Sequence, residues 1–138
     1  MQTIEKIEKN SAIHRKRAFV VGGEARICEL VSLILEDMGF NPMQICQGGQ
    51  LIESVKNINP ELIVWDLSQD KELSSFKSLL QVIEQASIKK VKFMLLGGPD
   101  VKRAMKTSET DSKVHFCLKP FAPTRFRDEI AQLYSLEG

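Results

Sequence analysis

The chain of 138 residues contains only 3 cysteines, 2 histidines, 1 tryptophan and 1 tyrosine, and neither sign of charge prevails. Each shortage removes a class of protein. Cys28, Cys46 and Cys117 stand far apart without paired ligand spacing, so they read as reduced core thiols of a cytoplasmic protein and not as metal ligands. His14 and His115 have no acid or cysteine at ligand spacing, and His115 is expected to pack at a strand edge. Lysine plus arginine total 19 against 18 for aspartate plus glutamate, so global charge recruits neither nucleic acid nor a membrane surface. No apolar run reaches the about 18 residues of a spanning helix. The start, Met1-Gln2-Thr3-Ile4-Glu5-Lys6, lacks the apolar stretch of a secretion signal. Repeats and low-complexity tracts are also missing.

What is present is a regular alternation. The length suits one domain with one substantial core. Residues 17–21 form a β-branched and aromatic run that ends at Gly22-Gly23. Residues 24–38 carry Ile27, Leu30, Val31, Ile34 and Met38 at helical spacing, stopped by Gly39. A short strand is expected over 42–46, closed by Gly48-Gly49, and a helix over 50–58 with Leu51, Ile52, Val55 and Ile58 inward, stopped by Asn59-Pro60. Residues 61–66 form a continuous apolar run, the mark of a strand buried on both faces. A helix over 74–86 turns Phe76, Leu79, Leu80 and Ile83 inward, and a fourth strand over 91–96 runs into Gly97-Gly98-Pro99. Val114–Leu118 is the fifth strand, and 124–134 a last helix with Phe126, Ile130, Leu133 and Tyr134 on one side. Such alternation implies right-handed parallel crossovers and an α/β sheet covered by helices on both faces.

Two segments fit this scheme poorly. Residues 100–113 have only Val101, Ala104 and Met105 as apolar anchors, and Thr107-Ser108-Glu109-Thr110-Asp111-Ser112 favours turns, so a short or displaced helix is expected there. Residues 1–16 are polar and lead into the basic run His14-Arg15-Lys16-Arg17, which reads as a loosely ordered leader before a single domain spanning 17–138.

In open parallel sheets ligands sit at the carboxyl ends of the strands. The residues there are Gly22, Gly23 and Glu24, then Asp66, then Gly97, then Lys119. Their carriers, Val20-Val21-Gly22-Gly23-Glu24, Leu62-Ile63-Val64-Trp65-Asp66, Leu95-Leu96-Gly97-Gly98 and Leu118-Lys119-Pro120-Phe121, occur in the order and on the elements of a response-regulator receiver domain. Over roughly residues 17–136 the chain resembles that family, of the chemotaxis type in two-component signalling. The resemblance implies a flavodoxin-like, doubly wound, five-stranded parallel sheet in the order 2-1-3-4-5, with three α/β/α layers. It also implies that Asp66 stands at the phosphoacceptor position, Lys119 at that of the phosphate-binding lysine and Phe116 at that of the switch aromatic, with a cis bond at Lys119-Pro120. The family's acid pair and hydroxyl fall on Gly22, Gly23 and Gly97, so the chain is a degenerate version, a pseudo-receiver. Only Glu24, with Asp66, remains to offer a weak metal site.

The physical expectation follows from the missing acids. Mg²⁺ requires octahedral oxygen ligands at about 2.1 Å. A charge pair at about 4 Å is worth roughly 4 kcal/mol at an effective dielectric of 20. Without the acids, Asp66 and Lys119 can neutralise one another. The reading is therefore a cytoplasmic, non-enzymatic regulatory domain that works by protein–protein contact, its phosphotransfer lost or weakened. Its partner is a histidine kinase or downstream effector, met through 100–107, Val114–Leu118 and 124–134. No cofactor, nucleic acid or membrane is expected, and the state is a monomer or weak dimer. With Gly138 as the last residue, no output domain is expected to be attached. Two alternatives remain: a working phosphoacceptor that uses Asp66 with weakly held Mg²⁺, and a flavodoxin-like binder of a small molecule in space left by the glycines. The dinucleotide fingerprint is excluded, because Gly22-Gly23-Glu24-Ala25 lacks its third glycine.

Overall fold

The computed structural model describes residues 16–22, 24–45, 51–67, 70–85, 91–106 and 114–135. The leader to residue 15, His14, Gly23, Cys46, Gly48-Gly49 and residues 107–113 lie outside them. Ten elements alternate: β1 (Lys16–Val21), α1 (Ala25–Asp37), β2 (Phe40–Ile45), α2 (Leu51–Ile58), β3 (Leu62–Asp66), α3 (Asp70–Gln85), β4 (Lys92–Gly97), α4 (Pro99–Lys106), β5 (Val114–Leu118) and α5 (Pro123–Ser135). Every strand pairing is parallel, and the order is β2-β1-β3-β4-β5. Lys16 already pairs with Phe40, so β1 starts one residue before the run read from the sequence.

The uninterrupted apolar run of β3 is explained by its central place, where every residue from Leu62 to Asp66 is buried. Strand side chains alternate between faces. Leu62 and Val64 join Ala18, Val20, Met94 and Leu96 under Val31 and Leu35 of α1 and Phe126 and Ile130 of α5. Ile63 and Trp65 join Phe19, Val21, Phe93 and Leu95 under Leu51 and Val55 of α2 and Phe76 and Leu79 of α3. Two cores therefore share one sheet, giving three layers. The Trp65 ring meets Phe76 edge-on at 6.0 Å, on the face opposite Asp66.

Local signals set the ends of the helices. Gly39 adopts φ 98°, and its N–H donates to the Glu36 carbonyl at 3.0 Å, closing α1. Asn59 takes φ 61° and donates to the Val55 carbonyl at 2.9 Å, closing α2 before Pro60. Two boundaries differ from the sequence reading by more than one residue. β2 starts at Phe40 rather than 42, and Pro42 is accommodated because β2 is an edge strand. α3 starts at Asp70 rather than 74: Lys71 and Glu72 are good helix formers, and Leu73 already falls on the stripe three residues before Phe76 and seven before Leu80. α4 is short, as expected, with 8 residues, and opens with Pro99, whose fixed φ suits a first helical position.

Candidate functional site

The carboxyl ends of β1, β3, β4 and β5 converge on Asp66. Its side chain is 2% exposed, the one charged residue in the described core. Two main-chain bonds align the strand ends around it: Leu67 donates to the Leu96 carbonyl at 2.7 Å, and Lys119 donates to the Gly97 carbonyl at 2.9 Å. The second bond delivers the lysine stem to the crevice. Lys119 Nζ lies 2.5 Å from Asp66 Oδ1, and the Lys119-Pro120 bond is cis. The contact is an ion pair without the alignment of a hydrogen bond, and Oδ2 has no hydrogen-bond partner among the described residues. Glu24, the residue preceding α1, is 60% exposed and puts Oε2 4.0 Å from the same Nζ. One ammonium thus stands between a buried and an exposed carboxylate.

The glycines behave differently from the sequence expectation of open space beside Asp66. A Cβ on Gly22 would lie 2.7 Å from Asp66 Cβ, and φ at Gly22 is 153°, a conformation that L side chains rarely adopt. The β1 main chain itself closes against the acid. A Cβ on Gly97 would lie 3.2 Å from Phe116 Cζ and 3.2 Å from Val101, so the ring of Phe116 already covers that position. The room expected at Gly22 is therefore taken by Asp66 itself, and that at Gly97 by the Phe116 ring and Val101. Hollows beside Arg17 and Met43, and beside Thr124 and Gln132, do not include Asp66.

The residues present do not fit Mg²⁺. The donor set is one buried carboxylate already paired with a cation and one exposed carboxylate on the far side of that cation. Gly22 has no room for an acid, and Gly23 has no side chain. No group of three or more acid, histidine or cysteine side chains among the described residues could hold a metal ion.

Sequence reasoning missed a second polar constellation. His115 does not stand without an acid: its Nε2 lies 3.0 Å from Glu129 Oε1 on α5, and Arg125 Nε lies 3.7 Å from Glu129 Oε2. The signal was available, because Glu129 falls on the same helical stripe as Phe126 and Leu133, three and four residues away. Next along the same strand face, Cys117 is fully buried. Burial first, and the nearby Glu129 carboxylate second, push its thiol up to about 11, while Arg125 opposes the rise.

No protein-family model and no curated protein sequence matches the chain. Solved structures do. The signal receiver domain of a putative Luxo repressor protein from Vibrio parahaemolyticus is 19% identical, with a TM-score of 0.69 over 88% of this chain and 91% of that one. The chemotaxis protein CheY4 of Vibrio cholerae is 17% identical, with a TM-score of 0.68 over 86% of this chain and 98% of that one. The anti-anti-sigma factor PhyR of Bartonella quintana, as a mutant, is 14% identical with a TM-score of 0.67; it matches 99% of this chain, which spans 56% of the PhyR chain. The five-stranded order, the helices on both faces and these neighbours agree: the chain has the flavodoxin-like fold of response-regulator receiver domains.

Proposed function

We propose that the chain is a receiver-like regulatory domain of two-component or phosphorelay signalling, that it works by contact with a signalling protein, and that it performs no turnover. The partner is a histidine kinase or a downstream effector, and a cytoplasmic location follows from that reading. One observation carries the loss of phosphotransfer: the Lys119 ammonium sits 2.5 Å from buried Asp66 while the Gly22 main chain closes the position where an acid would stand. An incoming phosphoryl group brings further negative charge to Asp66 and Glu24. Without a divalent cation, Lys119 is the cation beside Asp66 among the described residues that can offset it, and doing so breaks the existing pair. No described helix is long and apolar enough to cross a membrane.

Intact-mass measurement after treatment with acetyl phosphate and millimolar Mg²⁺ tests this reading. The expected spectrum shows no phosphoryl adduct. A Mg²⁺-dependent gain of one phosphoryl group, abolished by Asp66→Asn, would make Asp66 a working phosphoacceptor. The observation favouring that alternative is Oδ2, which has no hydrogen-bond partner among the described residues.

A further inference from the structure

Gly97 and Phe116 raise a question that the state of Asp66 does not answer: what holds α4 in place. This helix has 8 residues, and Val101 is its described inward anchor, half-buried against the core on the Trp65 side of the sheet. The Lys102 N–H donates to the Gly98 carbonyl at 3.0 Å, so its first turn grows directly from the end of β4. Gly97 ends β4, and Leu95, two residues back on the same face, pairs with Phe116 of β5. Strand alternation puts Phe116 on the face that α4 covers. A Cβ at Gly97 would be 3.2 Å from Phe116 Cζ and 3.2 Å from both Val101 Cβ and Cγ1. The ring and the valine thus meet over the one position at the end of β4 with no side chain.

We infer that Gly97, Phe116 and Val101 form an apolar wedge that fixes α4 on β5 in a single arrangement set by packing. Any side chain at Gly97 must displace the ring or lift the valine, because close-packed interiors yield little. The only bond from Gly97 toward the crevice among the described residues is its main-chain carbonyl, which accepts from the Lys119 N–H; with no side chain, Gly97 leaves the seating of α4 to the ring and the valine. This packing lies between β4, β5 and α4 and does not require a phosphoryl group on Asp66.

Hydrogen exchange followed by mass spectrometry on the full chain tests it without phosphorylation. Gly97→Thr is expected to speed exchange across residues 99–106 about tenfold while residues 25–37 keep wild-type protection, which also reports that the variant is folded. Gly98→Ala serves as the control for glycine replacement, since a Cβ there meets nothing within 4 Å, and it is expected to leave 99–106 unchanged. Phe116→Ala alone is expected to speed 99–106 by removing the wedge. Adding Phe116→Ala to Gly97→Thr is expected to slow exchange again, because the threonine then occupies the room that the ring vacated. Wild-type exchange across 99–106 in Gly97→Thr overturns the wedge, as does a double variant no better protected than Gly97→Thr.

Discussion

At the scale of single residues, Asp66 and Lys119 were legible because both follow apolar runs that must be strands, and parallel strands bring their carboxyl ends together. The pair's energetics follow from burial. Asp66 is 2% exposed and Lys119 19%, so removing one partner strands a charge away from water. Lys119→Met is expected to cost about 3 kcal/mol at neutral pH, whereas Asp66→Asn, which still offers an oxygen to the ammonium, is expected to cost less. Urea denaturation followed by Trp65 fluorescence measures both; equal losses would show that the pair is not what stabilises the site. The role of Gly22 was not legible. Sequence shows a glycine where acids would serve, but not that its main chain presses on Asp66. Gly22→Asp is therefore expected to destabilise the fold by about 2 kcal/mol, through the imposed φ and the overlap, without creating a metal site. A rise in melting temperature of that variant on adding Mg²⁺ would contradict this.

At the scale of elements, helices with a continuous apolar stripe were read almost to the residue, and α3 was read short because its stripe was counted from Phe76 although Leu73, three residues earlier, already belongs to it. The link from β5 to α5 through His115 and Glu129 escaped because strand and helix were read one at a time. That link bears on Cys117, two residues after His115 on the same strand. Its thiol is raised from an ordinary value near 9.0 to about 11. Between these values the unfolded chain loses the proton while the folded chain keeps it, so the folded state binds more protons and stability falls as pH rises. The contribution is intact below pH 9.0 and lost as pH passes about 11. A rise of that size is worth about 3 kcal/mol at full ionisation. Cys117→Ala removes this term while other groups still titrate, so its stability should fall less steeply than wild type across that range. Parallel pH profiles for the two proteins would show that Glu129 and burial do not hold the thiol neutral.

At the scale of the whole molecule, the parallel sheet covered on both faces was legible from alternation and the handedness of crossovers, and its strand order from the resemblance to receiver domains, while the division of the interior was not stated by any one segment. It comes from β3, which sends Leu62 and Val64 to the α1/α5 side and Ile63 and Trp65 to the α2/α3 side. Because both cores hang on the same central strand, neither should survive without the other. Trp65 lies in one core only, whereas helix content reports both. Urea unfolding followed by Trp65 fluorescence and by far-ultraviolet circular dichroism is expected to give one shared midpoint. The sharper form of the test uses Val64→Ala, which leaves a cavity in the core that excludes Trp65. It is expected to lower stability by about 2 kcal/mol and to move the two midpoints together, since the backbone of β3 couples the faces. Separate midpoints in that variant, with fluorescence left at the wild-type position, would mean that the two sides of the sheet unfold as independent units.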